Sequence, residues 1–563
     1  MSGKPIYRAL ADAFAEEGTD AQFILMGDGN MHFAIALDAH AGVQSVHVRH
    51  EHCAVAAATA YAIATNRVGI ASVTCGPGLT QITTALPAAV RAQVPLVVFA
   101  GESPMHARFY NQLIDQAPIV TATGARYIAA HSATRMLDHV REAFLIARHD
   151  RVPVVLGVPY DLQKQPEHSD DDYEPSTSLL ADGGRAQPDP RRLGELADWL
   201  MSAEAPVLIG GRGALRSGAA DSIRRLADAT GAMLATTLPV RGLFHDHRFS
   251  LGVAGGYASD VARETFAAAD LVVAIGASLT YYTKDGGNLF PNAAVVQLDT
   301  APRGLKDGMQ AANLFVTADA KAGAEAAVAE IERRVAAGER PAAKIRSDDL
   351  AGRLQTEPAD GAAFDIAAGE VDPRSVIAAI DRTVPKDWDI VTGSGHQAYY
   401  NSQMRGRPAD RFLTVREFGA IGNGLSYALG VAAARQQGDK SRIVLIEGDG
   451  GFMMHVQELE TLKRLGYRVL ICVLNDAAYG SEIHKLQADG IDDSLARFGE
   501  TPIAEIARGF GVRGADVTNV AQIPDLFRAF NAQGDSEVWN IRISDRVTAP
   551  TMRKTIARGH GNM

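Results

Sequence analysis

Cysteine is scarce in this chain: Cys53, Cys75 and Cys472 are the only three in 563 residues, odd in number and far apart. That argues against a disulfide framework and makes a cytoplasmic setting the default. Basic residues are also in deficit. Lys and Arg total 55 against 66 Asp and Glu, a net charge of −11, so no basic face is expected for nucleic acid. Long apolar runs are missing too. The first residues, MSGKPIYRALADAFAEEG, enter an amphipathic helical pattern without the apolar core of a signal peptide. Residues 68–90 carry no charge, but their Gly, Pro and Thr content predicts a buried sheet rather than a membrane span. No short-period repeat is visible, which excludes a solenoid.

What is present is globular: 47% hydrophobic and 21% charged residues over a length that suggests three or four domains. Short β-rich runs alternate with helical patterns, as at Phe23–Met26, Gly69–Thr74 and Pro95–Ala100, then Pro206–Ile209 and Leu271–Ile275, then Ile443–Ile446 and Val469–Leu474. The fold class predicted is α/β, with three doubly wound parallel-sheet domains. Their expected limits are 1–165, 191–340 and 371–545, joined by linkers at 166–190 and 341–370 and followed by a C-terminal tail, 546–563.

The most informative stretch is 441–484, SRIVLIEGDGGFMMHVQELETLKRLGYRVLICVLNDAAYGSEIH, which reads as strand, turn, helix, strand. A buried parallel strand delivers Asp449 into a turn whose glycines let backbone N–H groups approach an anion, and the helix adds its positive end. The next strand ends at Asp476 on the same rim of the sheet. Two carboxylates beside a diphosphate call for a hard divalent ion such as Mg²⁺, with a backbone carbonyl just beyond Asp476 completing the protein's share. An isolated Gly-Asp-Gly is as often an ordinary turn.

Gly-Asp-Gly, a helix, a strand and then Asn-Asp together resemble the signature of thiamine diphosphate (ThDP) enzymes. Three α/β units in this order resemble, over essentially the full length, the acetolactate synthase and pyruvate decarboxylase superfamily. The resemblance implies a pyrimidine-binding, a central and a diphosphate-binding domain. It implies Asp449, Asp476 and the carbonyl of Ala478 as Mg²⁺ ligands, with Gly448, Gly450, Gly451, Tyr479 and Gly480 around the diphosphate. Ser394, His396 and Gln397 match a second diphosphate turn. Gly419 and Ile421 match the segment that bends the cofactor. Glu51, in Arg49-His50-Glu51, matches the glutamate that activates the aminopyrimidine. Without the resemblance, Glu51 reads equally as a helix N-terminal carboxylate and Ile421 as core. In the family the cofactor lies between the first domain of one subunit and the third of another, so the resemblance implies a homodimer as the minimum assembly and a homotetramer as the expected one.

The activity implied is ThDP- and Mg²⁺-dependent decarboxylation of a small 2-oxo acid, giving an enamine that is protonated or ligated to an acceptor carbonyl. Asp28 and Glu482 match the proton-handling Asp and catalytic Glu of pyruvate decarboxylase and Thr392 a family active-site threonine, whereas Gln112 resembles the active-site glutamine of acetolactate synthases. Asn111-Gln112 stands where the decarboxylases carry paired histidines. His32 and Cys75 would border the pocket, although each reads as readily as structural. His47, His50 and His52 lack metal-site spacing, and no zinc is expected. A Gly-rich turn at Gly210–Gly213 leaves FAD possible, although Ser278–Tyr282 replaces the family's flavin-side run. Competing readings are a C–C hydrolase or lyase acting on a diketone, resembling cyclohexane-1,2-dione hydrolase, and a non-catalytic nucleotide-sensing homologue.

Overall fold

Aliphatic runs bounded by Gly and Pro form the strands, and helices rich in Ala and Leu cover them. The structure, a computed structural model, describes residues 3–167, 172–180, 184–304, 312–435 and 442–557. The first sheet contains β1 (Ala21–Ile24), β2 (Gln44–His47), β3 (Gly69–Val73), β4 (Leu96–Glu102), β5 (Arg126–Ala129) and β6 (Pro153–Pro159). The central sheet contains β7 (Pro206–Gly210), β8 (Met233–Thr236), β9 (Ser250–Val253), β10 (Leu271–Ile275), β11 (Ala294–Asp299) and β12 (Leu314–Thr317). The third contains β13 (Asp389–Thr392), β14 (Phe412–Thr414), β15 (Ile443–Gly448), β16 (Val469–Asn475), β17 (Arg513–Val517) and β18 (Glu537–Arg542).

All three sheets are parallel throughout, the α/β doubly wound class predicted. The first and third share one topology: β2-β1-β3-β4-β6-β5 and β14-β13-β15-β16-β18-β17. In both, strand order reverses between the first and third strands of the unit. The crevice beyond the strands' carboxyl ends opens there. The central order, β12-β11-β10-β7-β8-β9, is the dinucleotide-fold order instead.

One core joins the first and third units. The helix Glu51–Thr65 packs on the helix Gly424–Arg435, and alanines 54, 56, 57, 58 and 60 of the former are fully buried against it. Gly430 permits that approach, because a Cβ there would collide with the Ala57 carbonyl. At the end of the same contact the His52 Nε2–H donates to Asn423 Oδ1, and the ring stacks on His455 at 4.8 Å. Burial first, then the neighbouring His455 and His50, hold the His52 pKa down at about 4. The unfolded chain takes up this proton near pH 6.5 and the folded chain only near 4, so stability is lost as pH falls across that window. The expected loss is up to about 3 kcal/mol. A His52→Gln variant, which keeps an N–H donor for Asn423, should show a flatter profile in denaturant titrations stepped from pH 7 to pH 4.

The predicted linkers and tail are folded wherever they are described; residues 168–171, 181–183 and 558–563 lie outside the described residues. Tyr173 and Ser176 donate to the buried Glu17 carboxylate at 2.7 Å each, which fastens the first connection to the first unit. The second connection forms the helix Asp348–Thr356, capped by Ser347. It is tied to the central unit by Arg346, which donates to the Ala232 carbonyl, and by the Arg353–Glu264 pair. Beyond residue 545, Pro550–Ala557 is helical and Arg553 pairs with Asp360 at 2.7 Å. In the second connection Ala351 and Leu354 turn inward at helical spacing. Among the described residues, no helix is long and apolar enough to cross a membrane.

A candidate diphosphate and metal site on the third sheet

A pocket of about 640 Å³, including its open mouth, lies beyond the carboxyl ends of β13, β15, β16 and β18. Among the residues predicted from sequence, Ser394, His396, Gln397, Ile421, Gly448–Gly451, Asp476, Ala478, Tyr479, Gly480 and Glu482 line it. Gly448 is extended, and the segment Asp449–Met454 is already helical. The glycines after Asp449 therefore serve close packing. A Cβ on Gly450 would stand 2.7 Å from the Tyr479 ring, and one on Gly451 would stand 2.8 Å from the Glu447 carboxylate.

Asp449 and Asp476 are buried and mutually destabilising. Burial pushes the Asp449 pKa up to about 6, outweighing backbone N–H groups of Gly450, Ala477 and Ala478 that favour its anion. Asp476 is pushed up by burial and next by the charge of Asp449. Asp449 Oδ2 is buried without a hydrogen-bond partner. An orphaned carboxylate oxygen beside a second carboxylate is the donor set for a hard cation. Ala477 has φ +59°, a left-handed conformation that costs an alanine about 1 kcal/mol. This bend separates Asp476 from Ala478, and the Ala477 N–H bonds Asn475 Oδ1 at 2.9 Å. Gly480 follows because a Cβ there would collide with Asp476 Oδ2.

His396 Nε2 accepts from the Ala549 N–H at 3.0 Å, which leaves Nδ1 as the protonated, donating nitrogen. Burial, then His484, Arg416 and Lys485, hold its pKa down at about 3, so the ring is a neutral donor at physiological pH. Gln397 Nε2 bonds both the Ser394 carbonyl and Glu447 Oε1, at 3.2 Å each. Glu482, on the pocket rim, pairs with Lys485 at 2.6 Å and is half exposed.

Two predicted residues of this half stand apart from the pocket lining. Thr392 is fully buried; its hydroxyl donates to Asn401 Oδ1 at 3.3 Å and accepts from Arg241 of the central unit at 3.4 Å. Gly419 is an exposed turn residue at φ +76°.

Among the described residues, none of the first unit lines this pocket. Glu51, Asp28 and Gln112 instead follow β2, β1 and β4 at the carboxyl rim of the first sheet, with His32 on the helix Met31–Asp38. Glu51 begins its helix, and its Oε1 lies 3.4 Å from where a Cβ on Gly78 would stand. His32 lies between the rings of Tyr7 and Tyr160. The two sets of predicted residues thus stand at the carboxyl rims of two different sheets.

Three consecutive family descriptions match the chain and together cover more than half of it. They are the N-terminal TPP binding domain (residues 5–119), the central domain (193–327) and the C-terminal TPP binding domain (393–538) of thiamine pyrophosphate enzymes. The chain belongs to the acetolactate synthase-like thiamine diphosphate enzymes. Similar relatives include "Acetolactate synthase large subunit" of Parasynechococcus marenigrum (strain WH8102), 29% identical over 530 residues, covering 91% of this chain and 83% of the relative. "Acetolactate synthase 1, chloroplastic" of Nicotiana tabacum is 28% identical over 483 residues, covering 84% and 70%. "Probable acetolactate synthase large subunit" of Methanococcus aeolicus is 23% identical over 537 residues, covering 92% and 89%.

For a thiamine diphosphate enzyme, the structure adds pocket residues that motif spacing did not single out. Asp545 and Val547 line the pocket from beyond β18, and Tyr400 reaches the Val547 carbonyl at 2.6 Å. Glu447, fully buried behind the pocket with its pKa pushed up to about 8 by burial, faces Gly393, Gly424 and Gly451. The Glu directly before Gly-Asp-Gly was the available signal, since a charged residue closes an otherwise apolar strand.

Proposed function

We propose that this thiamine diphosphate enzyme is a Mg²⁺-dependent 2-oxo acid decarboxylase and carboligase, as the names of its relatives suggest. The observation that carries the reading is the buried Asp449–Asp476 pair, with Asp449 Oδ2 unpartnered at a pocket built from the third unit alone. These residues fit a divalent ion held by the two carboxylates and the Ala478 carbonyl. His396 Nδ1–H, the Ser394 hydroxyl and the Asp449 helix start would hold the cofactor's diphosphate. When bound, thiamine diphosphate supplies the nucleophilic carbon and the electron sink for loss of CO₂ from a 2-oxo acid. Glu51 would hold a proton against the aminopyrimidine, Ile421 would support the cofactor's bend, and Asp28 and Glu482 would govern proton delivery to the product.

Glu51 stands at the rim of a different sheet from Asp449, so the reading requires a second copy of the chain to bring the first unit over the third. Phe109 and Leu113 on the first unit, and Tyr479, Leu495 and Phe498 on the third, are large exposed apolar side chains available for such a contact. The minimum assembly proposed is a homodimer, with a homotetramer built from it. The three thiols are buried and unpaired, in keeping with a reducing cytoplasm.

The central unit fits a flavin or another nucleotide. Arg216, an exposed residue, stands near Arg151, Arg212 and Arg303, whose like charges oppose its own. Glu417 answers Arg212 at 2.7 Å, and Asp299 answers Arg303 at 3.8 Å. Such a cluster of cations suits an anionic diphosphate. The test of function is a panel of 2-oxo acids with ThDP and Mg²⁺, scoring CO₂ and condensation products together. Turnover of pyruvate or a close homologue supports the proposal. Consumption of a cyclic diketone with no 2-oxo acid turnover would replace it with C–C hydrolysis.

A further inference from the structure

The rim of the first sheet carries a polar relay that fixes one side chain. The Gly29 N–H donates to Thr74 Oγ1 at 3.0 Å, and Thr74 Oγ1 contacts Cys75 Sγ at 3.9 Å. The Cys75 thiol in turn donates to Gln112 Oε1 at 3.2 Å, and the Tyr110 hydroxyl donates to the same oxygen at 3.4 Å. Two donors thus converge on the carbonyl end of one carboxamide. Its Nε2 group has no protein acceptor among the described residues, although the side chain is only half exposed.

The backbone is built to hold this arrangement. Gly76 takes φ +58°, and a Cβ there would collide with the Gln112 carbonyl, so the two loops touch backbone to backbone. Gln116, which is buried, ties the same turn by accepting the Gly76 N–H at 3.1 Å and donating to the Gly101 carbonyl at 3.1 Å. Cys75 itself is buried and contributes a donor rather than an exposed reactive thiol.

We propose that Cys75 and Tyr110 are positioning residues that lock the Gln112 carboxamide in one orientation, presenting its N–H donors to a carboxylate or carbonyl oxygen of the substrate. A carboxamide that could flip would offer its oxygen half the time and repel that group. A locked one selects ligands rich in oxygen acceptors, the defining feature of 2-oxo acids and of the carbonyl compounds to which they are joined. The proposal rests on the 2-oxo acid reading above and adds the mechanism of its selectivity.

The test uses the holoenzyme, loaded with ThDP and Mg²⁺, and the variants C75A, C75S, Y110F and Q112A. C75A and Y110F should each raise KM for the accepted 2-oxo acid about tenfold with kcat changed less than about threefold. C75S keeps a donor at the same place and should stay within about twofold of the wild type. In a Q112A background neither C75A nor Y110F should have a further effect, because both act through the missing amide. Undiminished effects in that background, or none in the wild-type background, would overturn the proposal. A high-resolution crystal structure of the holoenzyme supplies an arm that needs no turnover: one Gln112 rotamer in the wild type and several in C75A/Y110F. A single unchanged rotamer in that double variant overturns the positioning role. Absence of any 2-oxo acid turnover, with the rotamers behaving as expected, counts instead against the functional reading.

Discussion

Asp449→Asn should raise the melting temperature of the cofactor-free protein and abolish the stabilisation that ThDP with Mg²⁺ gives the wild type. Asp449 and Asp476 are two buried carboxylates whose charges oppose each other, and Asp449 Oδ2 has no hydrogen-bond partner among the described residues. An asparagine there keeps Oδ1 for the surrounding backbone N–H groups and turns the orphaned oxygen into a donor toward Asp476. The expected gain is about 1–3 kcal/mol, read as a higher melting temperature in EDTA. The same change removes a metal ligand, so activity should fall by about a thousandfold or more. Protons compete with the metal at this pair. Mg²⁺ affinity in the wild type should therefore weaken as pH drops below about 6, the value to which burial raises Asp449. A variant that loses stability in EDTA, or keeps its response to ThDP with Mg²⁺, would separate Asp449 from the cation.

Glu51→Gln carries the second large effect, with a different signature. Glu51 starts its helix on the first sheet and takes no part in the third-sheet pocket. Removing its charge should leave the grip on diphosphate and metal intact, so ThDP binding measured by calorimetry changes less than about tenfold. Turnover should fall by about 10²–10⁴, the usual contribution of a positioned acid–base group. The glutamine is isosteric and the carboxylate lies only half buried, so the melting temperature should barely move. Loss of binding in proportion to loss of rate would make Glu51 a ligand-anchoring residue rather than an acid–base one.

Much of the fold was legible because parallel strands buried on both faces read as uninterrupted aliphatic runs. Ile443–Gly448 and Val469–Asn475 declare themselves that way. Several edge strands did not. Arg126–Ala129 and Arg513–Val517 carry Arg, Asp and Gly, because one side of each faces solvent, and Phe412–Thr414 is only three residues long. Asp449 and Asp476 were legible because each directly follows a strand, and strand ends are where this architecture places ligand-binding groups. The partners of Gln112 and of Thr392 were not. Cys75 and Tyr110 reach Gln112 from another loop and from two residues away, and Arg241 reaches Thr392 from the central unit, contacts that no local spacing encodes. The pairing of the first unit of one copy with the third unit of another was implied only by family resemblance, since the sequence pattern says nothing about which copy supplies which part.

Glu51 of one chain is proposed to serve the cofactor held by Asp449 and Asp476 of another, and subunit complementation tests this. Glu51→Gln and Asp449→Asn proteins, each nearly inactive alone, are mixed in equal amounts, dissociated, reassociated with ThDP and Mg²⁺, and assayed. Half of the dimers become hybrids, each with one site free of both substitutions. The mixture should then regain about one quarter of the wild-type rate. A mixture that exchanges subunits, as mass spectrometry of tagged chains can establish, yet stays as inactive as its parents would contradict the claim.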